Sequence, residues 1–151
     1  MEDENKSGDK PEVDRDLARA LPRLTAEQVT QISPKFVRMT YAPGEVIIRQ
    51  GDLPDRFYIM IRGRAEVWHQ GLSGRTHTVE VRGPGDYFGE IGLLYNSPRS
   101  ATVRASEEGE VEVLALDREA FQELIDESRA TEAQVALEMT QRLIRLADFQ
   151  S

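Results

Sequence analysis

The chain of 151 residues contains no cysteine, which excludes disulfides, thiolate metal sites and a cysteine nucleophile. That absence agrees with a reducing compartment, and a cytoplasmic location is the expectation. Histidine is nearly as scarce. His69 and His77 flank a glycine-containing loop, QGLSGRT, and without a third ligand they do not make a metal site. They are expected to be exposed hairpin residues, with no metal bound. No apolar run approaches the roughly 18–20 residues of a membrane span, and the N-terminus is acidic rather than signal-like. Bases are outnumbered, leaving a net charge of −8. A free-standing nucleic-acid binder would carry a basic face, so direct DNA or RNA binding is not expected. No motif places a Ser-His-Asp set or a carboxylate pair, and the chain is not expected to be an enzyme.

What is present follows a clear order. Residues 1–16 hold seven acids against three bases, half of the net charge, and too little apolar surface to offset ordering entropy. This acidic tail is expected to be disordered, leaving 17–151 as one domain. From Leu17 the pattern turns helical, with Leu17, Leu21 and Leu24 on one face. Thr25-Ala26-Glu27-Gln28 fits a capping box and opens a second short helix through Ile32. Period two then takes over, from Val37-Met39-Tyr41 through Phe57-Ile59-Ile61 and Val79-Val81 to Val111-Val113-Ala115, punctuated by glycines. Short strands with regular turn signals argue for an antiparallel barrel or jelly roll. Helical period returns after Asp117, a plausible N-cap, with Ala120, Phe121, Leu124 and Ile125 as a stripe. Thr131-Glu132-Ala133-Gln134 fits another capping box. Val135, Met139, Leu143 and Leu146 then recur along the last helix, with Glu138 and Arg142 expected to pair on its exposed side.

One stretch breaks the β pattern: FGEIGLLYNSPRSATVRA, residues 88–105. Ile91-Gly92-Leu93-Leu94 can make about one helical turn, too short for an ordinary core helix. Asn96-Ser97-Pro98 is turn chemistry, and Arg99 follows at once. The first amides of a helical turn are unpaired and suit an anion. Arg99 adds a permanent charge and a planar fork of donors that matches phosphate oxygens. Glu90 does not suit an anion, but as an acceptor-only group it suits hydroxyls. Carboxylate, guanidinium and free amides together describe a ligand with an anionic end and a sugar-like diol.

On these residues the stretch resembles the phosphate-binding cassette of cyclic nucleotide-binding domains. That pattern runs F-G-E, two small or apolar positions, a short turn, then P-R-small-A-T. Phe88, Gly89, Glu90, Pro98, Arg99, Ala101 and Thr102 stand at matching spacing. Upstream, GDLPDRFYIMIRG at 51–63 is similar to the family's early strand-and-turn signature, so the likeness covers about residues 20–145.

The resemblance implies a mainly β fold with flanking helices: an antiparallel β-roll with short N-terminal helices, a one-turn phosphate-binding helix and two C-terminal helices. It implies ligand contacts from Gly89, Glu90, Ile91, Gly92, Arg99, Ser100 and Ala101. Arg99 and the backbone N–H of Gly92 and Ser100 would take the cyclic phosphate, and Glu90 the ribose 2′-hydroxyl. Ser100 at its position is associated with cGMP tolerance, yet cAMP is the favoured ligand. The candidates for base contact are Val79 and Val81 on a strand and Leu143, Leu146 and Phe149 on the last helix, which in the family forms a lid that moves on binding. The expected function is therefore a regulatory sensor module with a cyclic nucleotide as ligand and no cofactor. Its output would pass to an effector protein or a missing output domain of a channel, transporter, kinase or regulator, and the last helix could also form a homodimer seam. The alternative is a degenerate, non-binding assembly domain.

Overall fold

The computed structural model describes residues 2–149. Helix α1 spans Glu2–Ala20 and α2 spans Ala26–Ile32, followed by a 3-10 turn at Ser33–Lys35. Eight strands follow: β1 Val37–Tyr41, β2 Val46–Ile48, β3 Arg56–Arg62, β4 Ala65–Gln70, β5 Thr76–Arg82, β6 Tyr87–Phe88, β7 Thr102–Ala105 and β8 Val111–Asp117. Helix α3, Glu90–Tyr95, lies between β6 and β7, and α4 Arg118–Glu127 and α5 Arg129–Ala147 close the chain. The expected first helix from Leu17 instead begins at Glu2, within the acidic segment for which disorder was expected. Val13, Leu17 and Ala20 carry its packing against the domain, and Leu21 packs just beyond its end.

The strands form two four-stranded antiparallel sheets, in the orders β1-β8-β3-β6 and β2-β7-β4-β5. This is the expected β-roll with flanking helices. The central strands β3 and β8 do not alternate buried and exposed, as period two alone suggests, because both of their faces are covered. Tyr58, Met60, Val111, Val113 and Ala115 fill the interior of the roll. Phe57, Ile59, Leu114 and Leu116 point outward beneath Leu17, Phe121 and Leu124 of the helices and Leu21 just after α1. The Phe57 ring sits 4.8 Å from that of Phe121.

A β-bulge between β4 and β5 reverses one expectation. Val67 pairs with Glu80 while Trp68 pairs with Thr78, so Val79 is the extra residue. An extra residue shifts the side-chain parity of everything beyond it. Glu80 and Arg82 therefore turn inward, and Val81, a candidate base contact, turns out to solvent at 52% exposure.

Helix caps follow the side chains that can reach orphan amides. Thr25 and Gln28 make the expected reciprocal capping box, and Asp117 Oδ1 accepts from Ala120 N at 2.8 Å. The expected box at Thr131–Gln134 is displaced. Ser128, at the junction of α4 and α5, caps α5 by accepting from Thr131 N. Thr131 is buried in the first turn, and Gln134 donates to Ala20 O at 3.1 Å.

Candidate functional site

The short helix α3 opens at Gly89, φ 94°, and ends at Asn96, φ 53°. Gly89 must be glycine: a Cβ there would lie 2.9 Å from Arg56 O and 3.2 Å from Arg99 Nη1 in a left-handed backbone. A Cβ on Gly92 would meet Pro54 Cβ at 2.8 Å. Smallness at Gly92 is thus required by packing within the protein, in addition to any approach by a ligand.

The two sequence blocks that carried the resemblance meet here. Arg99 N donates to Asp52 O at 2.8 Å, and Gly51 N donates to Arg99 O at 2.9 Å. The Arg99 guanidinium, 5% exposed, donates from Nη1 to Gly89 O at 2.8 Å and from Nη2 to Arg56 O at 2.7 Å. Asp55 lies 3.3 Å from Nη2. Burial weakens the hold of Arg99 on its proton, although Tyr58 and Asp55 oppose that effect. The bond to Ser100 O at 3.0 Å comes from His69 Nδ1. His69 is buried, contrary to the exposed role expected of it, because it faces inward on β4 beside the cassette.

Glu90 is 1% exposed and is met by a residue from the other end of the domain. Arg142 Nη1 of α5 lies 2.7 Å from both Glu90 carboxylate oxygens. Arg142 is 6% exposed, lies 5.0 Å over the Tyr87 ring, and has Glu138 at 3.2 Å from its Nε. The expected pairing with Glu138 exists, but not on an exposed face. Burial works against the Arg142 charge, and Glu90 more than compensates, so its pKa is raised. The surroundings are dry enough that burial, reinforced by Glu90, pushes the Tyr87 hydroxyl up to about 12.

Between Glu90 and Arg99 lies a cavity of about 50 Å³, to whose wall α5 contributes Arg142 and Leu146. Gly89, Glu90, Ile91, Gly92, Arg99, Ser100 and Ala101 all line it, as do Val79 and Leu146. Val81, Leu143 and Phe149 do not belong to that wall. Leu143 packs against the interior cluster beside it, and the Phe149 ring lies 5.1 Å from that of His77.

Sequence reading missed Glu80, Arg82 and Arg142, all of which line the cavity. Arg142 had a signal. Buried Val135, Met139, Arg142 and Leu146 recur at i, i+4, i+7 and i+11, so the arginine occupies a helix-face position that Leu143 does not. Glu80 and Arg82 had none, because their direction depends on the bulge. Arg82 bonds Glu80, and Glu80 Oε2 also accepts from Arg145 Nη1 of α5 at 2.8 Å. Burial would raise the Glu80 carboxyl, but Arg82 and Arg145 outweigh it and hold the group below the usual range.

Among the described residues no cluster of His, Asp or Glu is placed to hold a metal ion, and no helix is long and apolar enough to cross a membrane.

The chain is similar to known proteins. The model of the cyclic nucleotide-binding domain family matches residues 38–128. An uncharacterized ABC transporter ATP-binding protein of Mycobacterium tuberculosis is 41% identical over 95 residues, covering 58% of this chain and 28% of the relative. The cAMP-dependent protein kinase regulatory subunit of Dictyostelium discoideum is 43% identical over 89 residues, covering 57% of this chain and 27% of the relative. The chain thus spans less than a third of these curated relatives. The regulatory domain of Toxoplasma gondii protein kinase A, solved with cAMP, superimposes with a TM-score of 0.82 at 26% identity, over 89% of this chain and 51% of that one. With the cassette, the early turn block and the β-roll all in place, the chain belongs to the cyclic nucleotide-binding domain family.

Proposed function

We propose that this domain is a cAMP-responsive regulatory module, binding cAMP in preference to cGMP and converting occupancy into movement of α5. The observation that carries the reading is the convergence of Glu90 and Arg99, both buried, on one cavity that Arg142 and Leu146 of α5 also line. In this reading Arg99, with the amides of Gly92 and Ser100, takes the cyclic phosphate, and Glu90 accepts from the ribose 2′-hydroxyl. Ile91 and Ala101 complete the cassette wall, and Val79 and Leu146 supply apolar surface to the base. The relatives whose names include cAMP favour that ligand.

The requirement for movement follows from volume and from charge. Small-molecule pockets run about 300–1,000 Å³, whereas this cavity measures about 50 Å³. A nucleotide therefore enters only if Arg142 and Leu146 give ground. A ribose hydroxyl and Arg142 also compete for the same Glu90 oxygens. The ligand thus interacts differently with the two positions of α5, which is what a population shift needs.

The 17–151 unit would act without catalysis on an effector protein or an output domain, in the cytoplasm. Exposed Leu137 and Ile144 on α5 offer a seam for a homodimer. Calorimetric titration with cAMP and cGMP tests the reading. Saturable cAMP binding tighter than cGMP binding is expected. No binding of either would favour the assembly-domain alternative.

A further inference from the structure

The cavity wall carries a buried charged pair that neither phosphate nor ribose recognition uses. Arg82 and Glu80 stand two residues apart on β5, both inward because of the bulge at Val79. Arg82 is 6% exposed, and its Nε has no hydrogen-bond partner among the described residues. A buried, unsatisfied N–H costs free energy comparable to a lost hydrogen bond. A site that accepts a ligand can recover that cost if the ligand brings an acceptor. Glu80 supplies the complementary acceptor alongside. Its Arg145 partner is on α5 and half exposed, so that contact loosens when α5 moves.

We infer that Arg82 and Glu80 form a base-reading pair that selects adenine over guanine through the purine's N7 edge. This rests on the cyclic-nucleotide reading of the cavity. Along that edge adenine presents an N7 acceptor beside an N6 amino donor, and guanine presents two acceptors, N7 and O6. A donor and an acceptor side by side match adenine: Arg82 donates to N7, and Glu80 accepts from N6–H. Against guanine the same pair sets the Glu80 carboxylate opposite O6, acceptor against acceptor. Arg82 alone, with its fork free, would instead suit guanine's two acceptors. Adenine preference thus belongs to the pair, and Glu80 is the discriminating member. The strand's own alternation hides both residues, since without the bulge Val79 and Val81 would share the inward face.

The test uses the whole chain and three ligands: cAMP, its 7-deaza analogue, in which N7 is replaced by C–H, and cGMP. In the wild type the 7-deaza analogue is expected to bind about tenfold or more weaker than cAMP, the scale of one hydrogen bond from a charged donor. In Arg82→Met that difference disappears. In Glu80→Gln, whose amide can accept from N6 or donate to O6, the preference for cAMP over cGMP falls by about tenfold or more. A purely structural latch would weaken all three ligands alike and leave these ratios unchanged. Equal wild-type affinity for cAMP and 7-deaza-cAMP overturns the inference, and this comparison needs no variant to fold. Wild-type protein that binds no cyclic nucleotide at all overturns the cavity reading and this inference with it.

Discussion

Arg142 of α5 places one guanidinium nitrogen 2.7 Å from both oxygens of Glu90, fifty-two residues away in the chain. The carboxylate that the cassette would offer to a sugar is therefore held by the helix that would report its arrival. Breaking a buried ion pair by removing one partner costs about 3–5 kcal/mol, because the other charge is left unpaired. Arg142→Leu is expected to lower the stability of the ligand-free protein on that scale. Adding Glu90→Gln should recover much of the loss, since no orphaned charge then remains. Urea unfolding of the two single variants and the double measures the coupling, and additive losses would show that the pair is not coupled.

Removal of Arg99 should affect both binding and stability. The proposed role of Arg99 as the phosphate partner predicts that Arg99→Ala weakens cAMP binding by about 2–5 kcal/mol, the usual cost of orphaning a buried charge partner. That is roughly 30- to 4000-fold in dissociation constant. The side chain also satisfies the carbonyls of Gly89 and Arg56, so the melting temperature should fall as well. Calorimetry and thermal denaturation separate the two effects. Wild-type affinity in a folded Arg99→Ala protein would remove the phosphate assignment.

Glu90 should distinguish a ribose from a deoxyribose. A buried carboxylate left without its hydroxyl donor is penalised, so wild-type protein should prefer cAMP to 2′-deoxy-cAMP. Glu90→Gln should weaken cAMP more than it weakens the deoxy analogue. Equal losses for both ligands would place the 2′-hydroxyl elsewhere.

Glu80 gives the domain a pH signature. Its carboxyl is held low in the folded state by Arg82 and Arg145, against the effect of burial. A depressed folded pKa means that the stabilisation is fully present above the ordinary carboxyl value of 4.5 and is lost as pH falls through the lower folded value. Melting curves between pH 6 and about pH 3 should show the wild type converging on Glu80→Gln at the acid end. Parallel curves over the whole range would deny Glu80 that role.

Helix α5 should respond to ligand along its second half. Amides of 139–147 are expected to change in exchange protection at saturating cAMP, as Arg142 gives up Glu90 and Leu146 shifts to make room for the base. Deleting 140–151 should weaken binding by about 1–3 kcal/mol, the scale of burying one large apolar side chain. Unchanged exchange together with unchanged affinity would mean that the pocket works without its C-terminal helix.

Local chemistry made much of this molecule readable from its residues in order. The cassette was legible because its parts lie within about one turn and a strand of each other: a glycine with positive φ, a short helix, a Pro-Arg step. The Thr25 and Asp117 caps were legible for the same reason, each side chain reaching an amide three residues on. The alternating runs announced strands, and strands separated by glycine turns announced a roll. The tertiary structure alone decided what crosses long separations or depends on parity. Only a folded α5 could bring Arg142 onto Glu90, and a helix face does not say what it will cover. The bulge at Val79 turned Val81 to solvent and carried Glu80 and Arg82 inside, because one extra residue in a strand with period two reverses the direction of every side chain that follows.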